Sequence, residues 1–178
     1  MGRLTRQKGQ DVLLTAWPEV LAECPDAVLA LVGDGDLMAD LRSREVPGVR
    51  FAGALDDVRG WLSAADVVVL PSRWEGLSLT VLEAFATGRS VVASAVPGLV
   101  EVMEPAAGAL VAPEDPMALA GAIARRLRDR SLSGAEGAAA AAHALGFDAR
   151  HTFERLAAVT ESVAQPLDRT YTPQRPAR

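Results

Sequence analysis

The 178-residue chain alternates short apolar runs with longer stretches in which apolar residues recur every three or four positions. Five runs predict buried strands: Ala27–Val32, Val49–Phe51, Asp66–Leu70, Ser90–Ala93 and Ala109–Val111. Four are rich in Val or Leu without period-two alternation, the pattern of parallel strands covered on both faces; the 49–51 run is too short to distinguish. Helices are expected between them. Asp11–Glu23 places Val12, Leu13, Ala16, Val20 and Leu21 on one stripe, and Pro18 within it should kink the helix or remove one hydrogen bond. Leu37–Arg44 and Asp57–Ala64 are shorter helical stretches, and Ser78–Thr87 opens on an N-capping residue type and stops before Gly88. A further helix starts at Asp115 and Pro116 and repeats Leu119, Ile123 and Leu127. Arg125, Arg126, Arg128 and Arg130 crowd its C-terminal end, where the helix dipole favours cations.

Strands alternating with helices at this spacing predict βαβ units and an α/β fold with a doubly wound parallel sheet. After Ser131 the pattern is purely helical. Ala135–Ala144 is alanine-rich, and Asp148–Val163 carries Phe153, Leu156, Val159 and Val163 on one stripe. From Gln165 onward three prolines and scattered arginines predict a disordered tail, 165–178, following a single domain of residues 1–164. No internal repeat is present.

Composition narrows the classes. With 49% hydrophobic and 23% charged residues the chain is globular rather than disordered. No apolar run approaches the ~18 residues needed to span a bilayer, and no secretory leader pattern opens the sequence. The single cysteine, Cys24, leaves no internal disulfide and no thiol cluster for zinc. The expected setting is therefore cytoplasmic, with any attachment to a membrane surface left to parts outside this sequence. A net charge of −5 argues against nucleic acid as a partner. The first nine residues nevertheless hold Arg3, Arg6 and Lys8 with no acid among them; charge alone favours a solvated terminus over a cationic site.

In a doubly wound sheet, ligands bind at the C-terminal ends of the strands, so the loops after them are where chemistry is sought. The first, Gly33-Asp34-Gly35-Asp36, has two glycines of a dinucleotide fingerprint but Met38 where the third belongs, although Asp56 lies about 20 residues on. A tight turn accounts for it as well. The second, Pro71-Ser72-Arg73-Trp74-Glu75-Gly76-Leu77-Ser78, leads into a helix whose unpaired amides and positive dipole end suit an anion. Glu75 before that helix and Glu83 within it are separated by seven residues; acids favoured at a helix start are the plain alternative. The third is Ala95-Val96-Pro97-Gly98-Leu99-Val100-Glu101, where Gly98 either brings backbone amides towards a ligand or belongs to a simple loop.

Taken in order, Gly2-Arg3-Leu4 with Lys8-Gly9, Val32-Gly33-Asp34-Gly35, Pro71-Ser72 with Glu75-Gly76, Glu83-Ala84 with Ala86 and Gly88, Val91-Val92-Ala93-Ser94, and Gly98 with Glu101 form one set. Across about residues 2–130 the set resembles the C-terminal, donor-binding domain of the group 1 family of retaining glycosyltransferases, which have the GT-B fold. The Glu75-to-Glu83 spacing matches that family's paired-glutamate motif.

The resemblance implies a Rossmann-like half of a GT-B enzyme that binds a nucleoside diphosphate sugar. It implies that Arg3 and Lys8 bind the donor diphosphate, stabilising the charge that grows on the leaving group. Glu75 is implied to face the donor sugar, with Gly76, Leu77 and Ser78 offering backbone N–H groups, and Glu83 to accept hydrogen bonds from the ribose. The nucleobase is expected near Gly33. No metal is required on this reading and no cofactor beyond the donor substrate; the acceptor, whether sugar, lipid-linked or small molecule, is undetermined. A non-catalytic nucleotide-sugar binding module, or the donor-binding subunit of a split enzyme completed by a partner, is the alternative. Ser90 stands where the family often has proline, read as a loop detail. The family's N-terminal domain with its catalytic histidine is absent from the sequence, and His143 and His151 are expected on the surface. The family's first strand, normally just before Gly2, is missing too. Between Ala27–Val32 and Asp66–Leu70 either a gap with two unpaired edges or a direct pairing of the two strands is then expected, and the chain alone should be poorly soluble or oligomeric.

Overall fold

A computed structural model of the chain describes residues 1–147 and 149–163; the tail expected at 165–178 lies outside the described residues. One compact unit spans Met1–Gly146 and a second begins at Phe147. In the second, helix α8 (Ala149–Val163) exposes Phe153, Leu156 and Val159 of the apolar stripe.

Within Met1–Gly146 the predicted alternation is realised. The strands are β1 (Leu29–Val32), β2 (Val49–Gly53), β3 (Val67–Leu70), β4 (Ser90–Ser94) and β5 (Gly108–Val111), within two residues of their predicted bounds. The helices are α1 (Gln10–Glu23), α2 (Met38–Ser43), α3 (Arg59–Ala64), α4 (Leu79–Ala86), α5 (Pro97–Val100), α6 (Pro116–Arg128) and α7 (Arg130–Ala144). α1 runs without interruption past Pro18, which lacks the N–H that would reach back one turn. α7 starts earlier than its alanine-rich sequence predicts because Asp129 both ends α6 and caps α7. The Asp129 carboxylate accepts from the Ser131 and Leu132 N–H groups at 3.1 and 3.0 Å, offsetting the poor helix formers of the first turn.

All strand pairs are parallel, and they form two sheets, β1-β2 and β3-β4-β5. Of the two arrangements expected, direct pairing is not found: β1 and β3 do not pair. Helices cover both faces, as strand alternation on β4 makes plain. Val92 packs with α1, α6 and Leu29 and Leu31 of β1, whereas Val91 and Ala93 pack with Val81 and Phe85 of α4, Leu99 of α5 and Ala140 of α7. The fold is doubly wound.

The second cluster hangs on a buried ion network that the sequence reading did not foresee. Arg126 donates to both Glu136 oxygens, at 2.8 and 2.7 Å, and to Ser90 Oγ at 3.1 Å; Ser90 Oγ in turn donates to Glu136 at 2.5 Å. Arg126 lies in the last turn of α6 as expected and is in addition paired and only 5% exposed. One expectation is corrected here: Ser90 is no loop detail but the buried first residue of β4. His143, expected on the surface, sets its ring edge-on against Phe85 at 5.8 Å, with Nδ1 3.5 Å from Glu104.

Candidate functional site

The segment Gly2–Gly9 carries Arg3 and Lys8 across the C-terminal ends of β1 and β3. It is tied to the first by Gly2 N–H to Val32 O and Leu4 N–H to Asp34 O, both 2.9 Å, and to the second by Arg73 N–H to Gln7 O at 2.8 Å. Glycines permit this crossing. A Cβ on Gly33, whose φ is +133°, would lie 1.9 Å from Gly2 O, and one on Gly9, φ +65°, would lie 2.0 Å from Pro71 O. Gly35 similarly meets Leu4 O at 2.4 Å. The Gly33-Asp34-Gly35 motif thus lets one backbone thread past another, which is the physical reason an incomplete dinucleotide fingerprint occurs here.

Among the expected site residues, the structure brings Lys8 and Glu75 into direct contact. Lys8 Nζ donates to Glu75 Oε1 at 2.6 Å, and Ser72 Oγ donates to the same oxygen at 3.0 Å. The Glu75 side chain is 5% exposed, so Lys8 supplies the charge that makes its burial tolerable. Gly76 and Leu77 follow, both exposed. Beneath them lies Gly98, whose Cβ would fall 2.0 Å from Gly76 O and 2.5 Å from Glu75 O. Neither reading offered for Gly98 describes this: it is a packing residue of α5, which props the Glu75–Gly76 turn from below.

Ser78 stands at the N-cap of α4, but its hydroxyl does not cap the helix. It is buried and without a hydrogen-bond partner among the described residues. A helix start with no side-chain cap leaves its first amides open to a ligand. Glu83, on the second turn of α4, is exposed and acts electrostatically on the Met1 amine, as Lys8 does, so both charges bear on the same region. Arg3 is exposed; its carbonyl accepts from Gln10 Nε2 at 3.0 Å, but its side chain pairs with nothing among the described residues.

What sequence reasoning missed is the brace. Arg73 donates to both Asp11 oxygens at 2.8 Å, to Glu114 at 2.8 Å and to Arg6 O at 2.8 Å, clamping the start of α1 to the β3–α4 loop. The hydrogen bond donated by Arg73 to Asp11 is the first cause both of the Asp11 carboxyl lying below its ordinary value and of the guanidinium lying above its own. The only signal was the place of Arg73 inside the Pro71–Ser78 motif; its partner 62 residues away gave none. Among the described residues, no group of three or more His, Cys, Asp or Glu gathers as a metal site. No described helix is long and apolar enough to cross a membrane.

A βαβ unit with Lys8, Glu75 and an uncapped helix at its strand ends defines a class. The chain belongs to the group 1 glycosyltransferase family, whose model, glycosyl transferases group 1, matches residues 1–129. It is 37% identical over 153 residues to a GDP-mannose-dependent monoacylated alpha-(1-6)-phosphatidylinositol monomannoside mannosyltransferase of Corynebacterium glutamicum, covering 79% of this chain and 40% of that protein. Among solved structures, Anabaena Alr3699/HepE in complex with UDP superposes with a TM-score of 0.82 at 27% identity, over 91% of this chain and 48% of that one. The C-terminal domain of a glycosyl transferase group 1 family protein from Francisella tularensis shares the fold, with a TM-score of 0.74 at 23% identity over 83% of each chain. The chain thus has the Rossmann-like fold of GT-B glycosyltransferases and spans less than half the length of the first two.

Proposed function

We propose that this chain is the donor-binding half of a retaining glycosyltransferase and grips a nucleoside diphosphate sugar without a metal ion. The observation that carries this reading is the meeting of Lys8, Glu75 and the uncapped start of α4, with the unpartnered Ser78 hydroxyl, at one strand end. Lys8 and Arg3 face the diphosphate and oppose the negative charge that develops as the glycosidic bond breaks. Open amides at Gly76, Leu77 and Ser78 add donors to sugar or phosphate. Glu75, with one oxygen fixed by Lys8 and Ser72, faces the donor sugar, and Glu83 accepts from the ribose. Support also comes from the names of similar proteins, one GDP-mannose-dependent and one solved with UDP-glucose.

The test is calorimetric titration of the chain with UDP and GDP in a chelator. Binding that requires added metal overturns the side-chain-cation account. Removing Lys8 alone would also strip the counter-ion from Glu75, so the informative variant pairs Lys8→Ala with Glu75→Gln. It should weaken diphosphate binding about 10- to 150-fold, the loss of one charge-assisted bond, while leaving nucleoside binding nearly unchanged. The chain by itself should not transfer sugar to an acceptor. Robust transfer would overturn the reading of this chain as a donor-binding half.

A further inference from the structure

The turn that carries Lys8 has no apolar anchor of its own. Arg6–Lys8 is a single 3₁₀ turn without a buried residue, preceded by Thr5, whose side chain makes no cap, and followed by Gly9 in the left-handed region. A turn this short cannot hold its own place. Leu4 before it and Gln10 after it are buried, so the chain is pinned on either side. Between those pins, polar bonds from the β3–α4 loop set the turn. The Arg6 and Gln7 carbonyls are both taken by Arg73, the first by its guanidinium and the second by its backbone N–H, each at 2.8 Å. Gln7 Nε2 returns one bond to Trp74 O at 3.1 Å.

Arg73 is itself aimed. Asp11 accepts from both terminal nitrogens and Glu114 from Nε, so α1 and the β5–α6 loop converge on one planar group. Two carboxylates around one guanidinium leave negative charge at this spot, and a donor phosphate is not drawn to Arg73 directly. Whatever Arg73 does for a ligand therefore runs through the turn that it holds. Glu114 reaches it from a backbone with φ +57°, a left-handed conformation that is costly for a residue other than glycine. A strained acid stands where glycine would sit more easily, and its carboxylate supplies the contact that fixes the Nε edge of the guanidinium.

We propose that Arg73 is the residue that positions Lys8 for the donor diphosphate. By holding the Arg6 and Gln7 carbonyls it sets the turn so that Lys8 Nζ rests 2.6 Å from Glu75, and Asp11 and Glu114 hold Arg73 in turn. A shift of the turn by about 1 Å breaks a bond of that length and moves the cation off its place. That Lys8 meets a diphosphate rests on the proposed function; that Arg73 places Lys8 does not.

Lys8 is the sole lysine of the chain, so its acylation reports on its own surroundings. The full chain and its variants are treated with a water-soluble acetyl ester, and peptide mapping separates Lys8 from the N-terminal amine. In Arg73→Met, Lys8 is released from Glu75 and should react about threefold faster. Val20→Ala, a core change remote from the turn, should lose stability without that acceleration. Titration with UDP and with uridine in a chelator gives the second readout. Arg73→Met should weaken UDP about three- to tenfold and leave uridine nearly unchanged. Glu114→Gly separates positioning from stability. Glycine relieves the left-handed backbone, so the thermal midpoint should hold or rise, while Lys8 reacts faster and UDP binds about twofold more weakly. Unchanged acylation in Arg73→Met overturns the proposal, as does an acylation rate that simply follows the thermal midpoint across the variants. A parent chain that binds no UDP, with acylation still faster in Arg73→Met, overturns the donor reading alone and leaves Arg73 as the residue that places Lys8.

Discussion

β4 is buried at all five positions and paired along both edges, whereas β2 has no buried position, is bulged opposite Leu31 and Val32, and pairs along one edge only. The three-stranded half of the Met1–Gly146 unit thus has a central strand covered on both faces and pinned by the Arg126–Glu136–Ser90 network. The two-stranded half leans on α1 and α6 and has no equivalent buried ion network among the described residues. The candidate site straddles them. Glu75, Gly76, Ser78 and Glu83 rise from the firm half, Gly33 from the lighter one, and Arg3 and Lys8 from the segment that crosses between them. Precision in the glutamate motif is therefore a matter of one well-packed sheet. The position of the cations depends on how the halves are held together.

The comparison breaks most severely at its firm side. Arg126→Ala leaves the Glu136 carboxylate buried without its partner and should cost about 3–5 kcal/mol of unfolding free energy. Replacing Arg126 and Glu136 together by Met and Leu should cost much less, because no charge is then stranded. Denaturant midpoints of the two variants decide it, and equal losses would mean that packing rather than charge holds α6 to α7.

A smaller effect is expected where the firm half supports the site. Gly98→Ala must push the Glu75–Gly76 turn aside, since the added Cβ falls 2.0 Å from Gly76 O. The expected loss is about 1–3 kcal/mol in stability, with weakened UDP binding. Gly121→Ala in α6, where a Cβ meets nothing within 4 Å, should instead stabilise by up to about 1 kcal/mol. A Gly98→Ala chain that binds UDP normally would detach the α5 support from the site.

The mildest change concerns the link between the halves. Arg73→Lys exchanges a two-pronged contact with Asp11 for a single one and should cost about 1 kcal/mol at neutral pH. The sign with pH follows from Asp11. Its carboxyl is held below its ordinary value when folded, so the stabilisation is complete above about pH 4 and fades as pH falls through the lowered folded value. The difference between parent and variant should shrink on acidification in stability curves. A difference that persists in acid would assign the clamp to the Arg6 carbonyl contact instead.

Much of this was legible in one dimension. The five strands follow from apolar runs without alternation, and α6 from Asp115, Pro116 and a four-residue repeat, because these are local consequences of burial and capping. The glutamate loop was legible because all its chemistry lies between Pro71 and Glu83. Ser90, Gly98 and Arg73 were misjudged or missed for one shared reason: each acquires its role from a residue distant in sequence, namely Glu136, Gly76 and Asp11. Ser78 shows the converse failure. Its type predicted a cap, yet its hydroxyl is buried unpartnered beside open amides, since type sets what a side chain can bond but not where the fold aims it.

By itself the sequence determined the order and kind of elements, the doubly wound class and the membership of Lys8, Glu75 and Glu83 in one recognisable set, because hydrophobic period, caps and motif spacing are all short-range properties. Only the tertiary structure decided that Lys8 and Glu75 share a bond and that Gly33 and Gly98 are required by crossing backbones. Those are distances between segments tens of residues apart, and distance across a fold is set by packing, which no local pattern encodes.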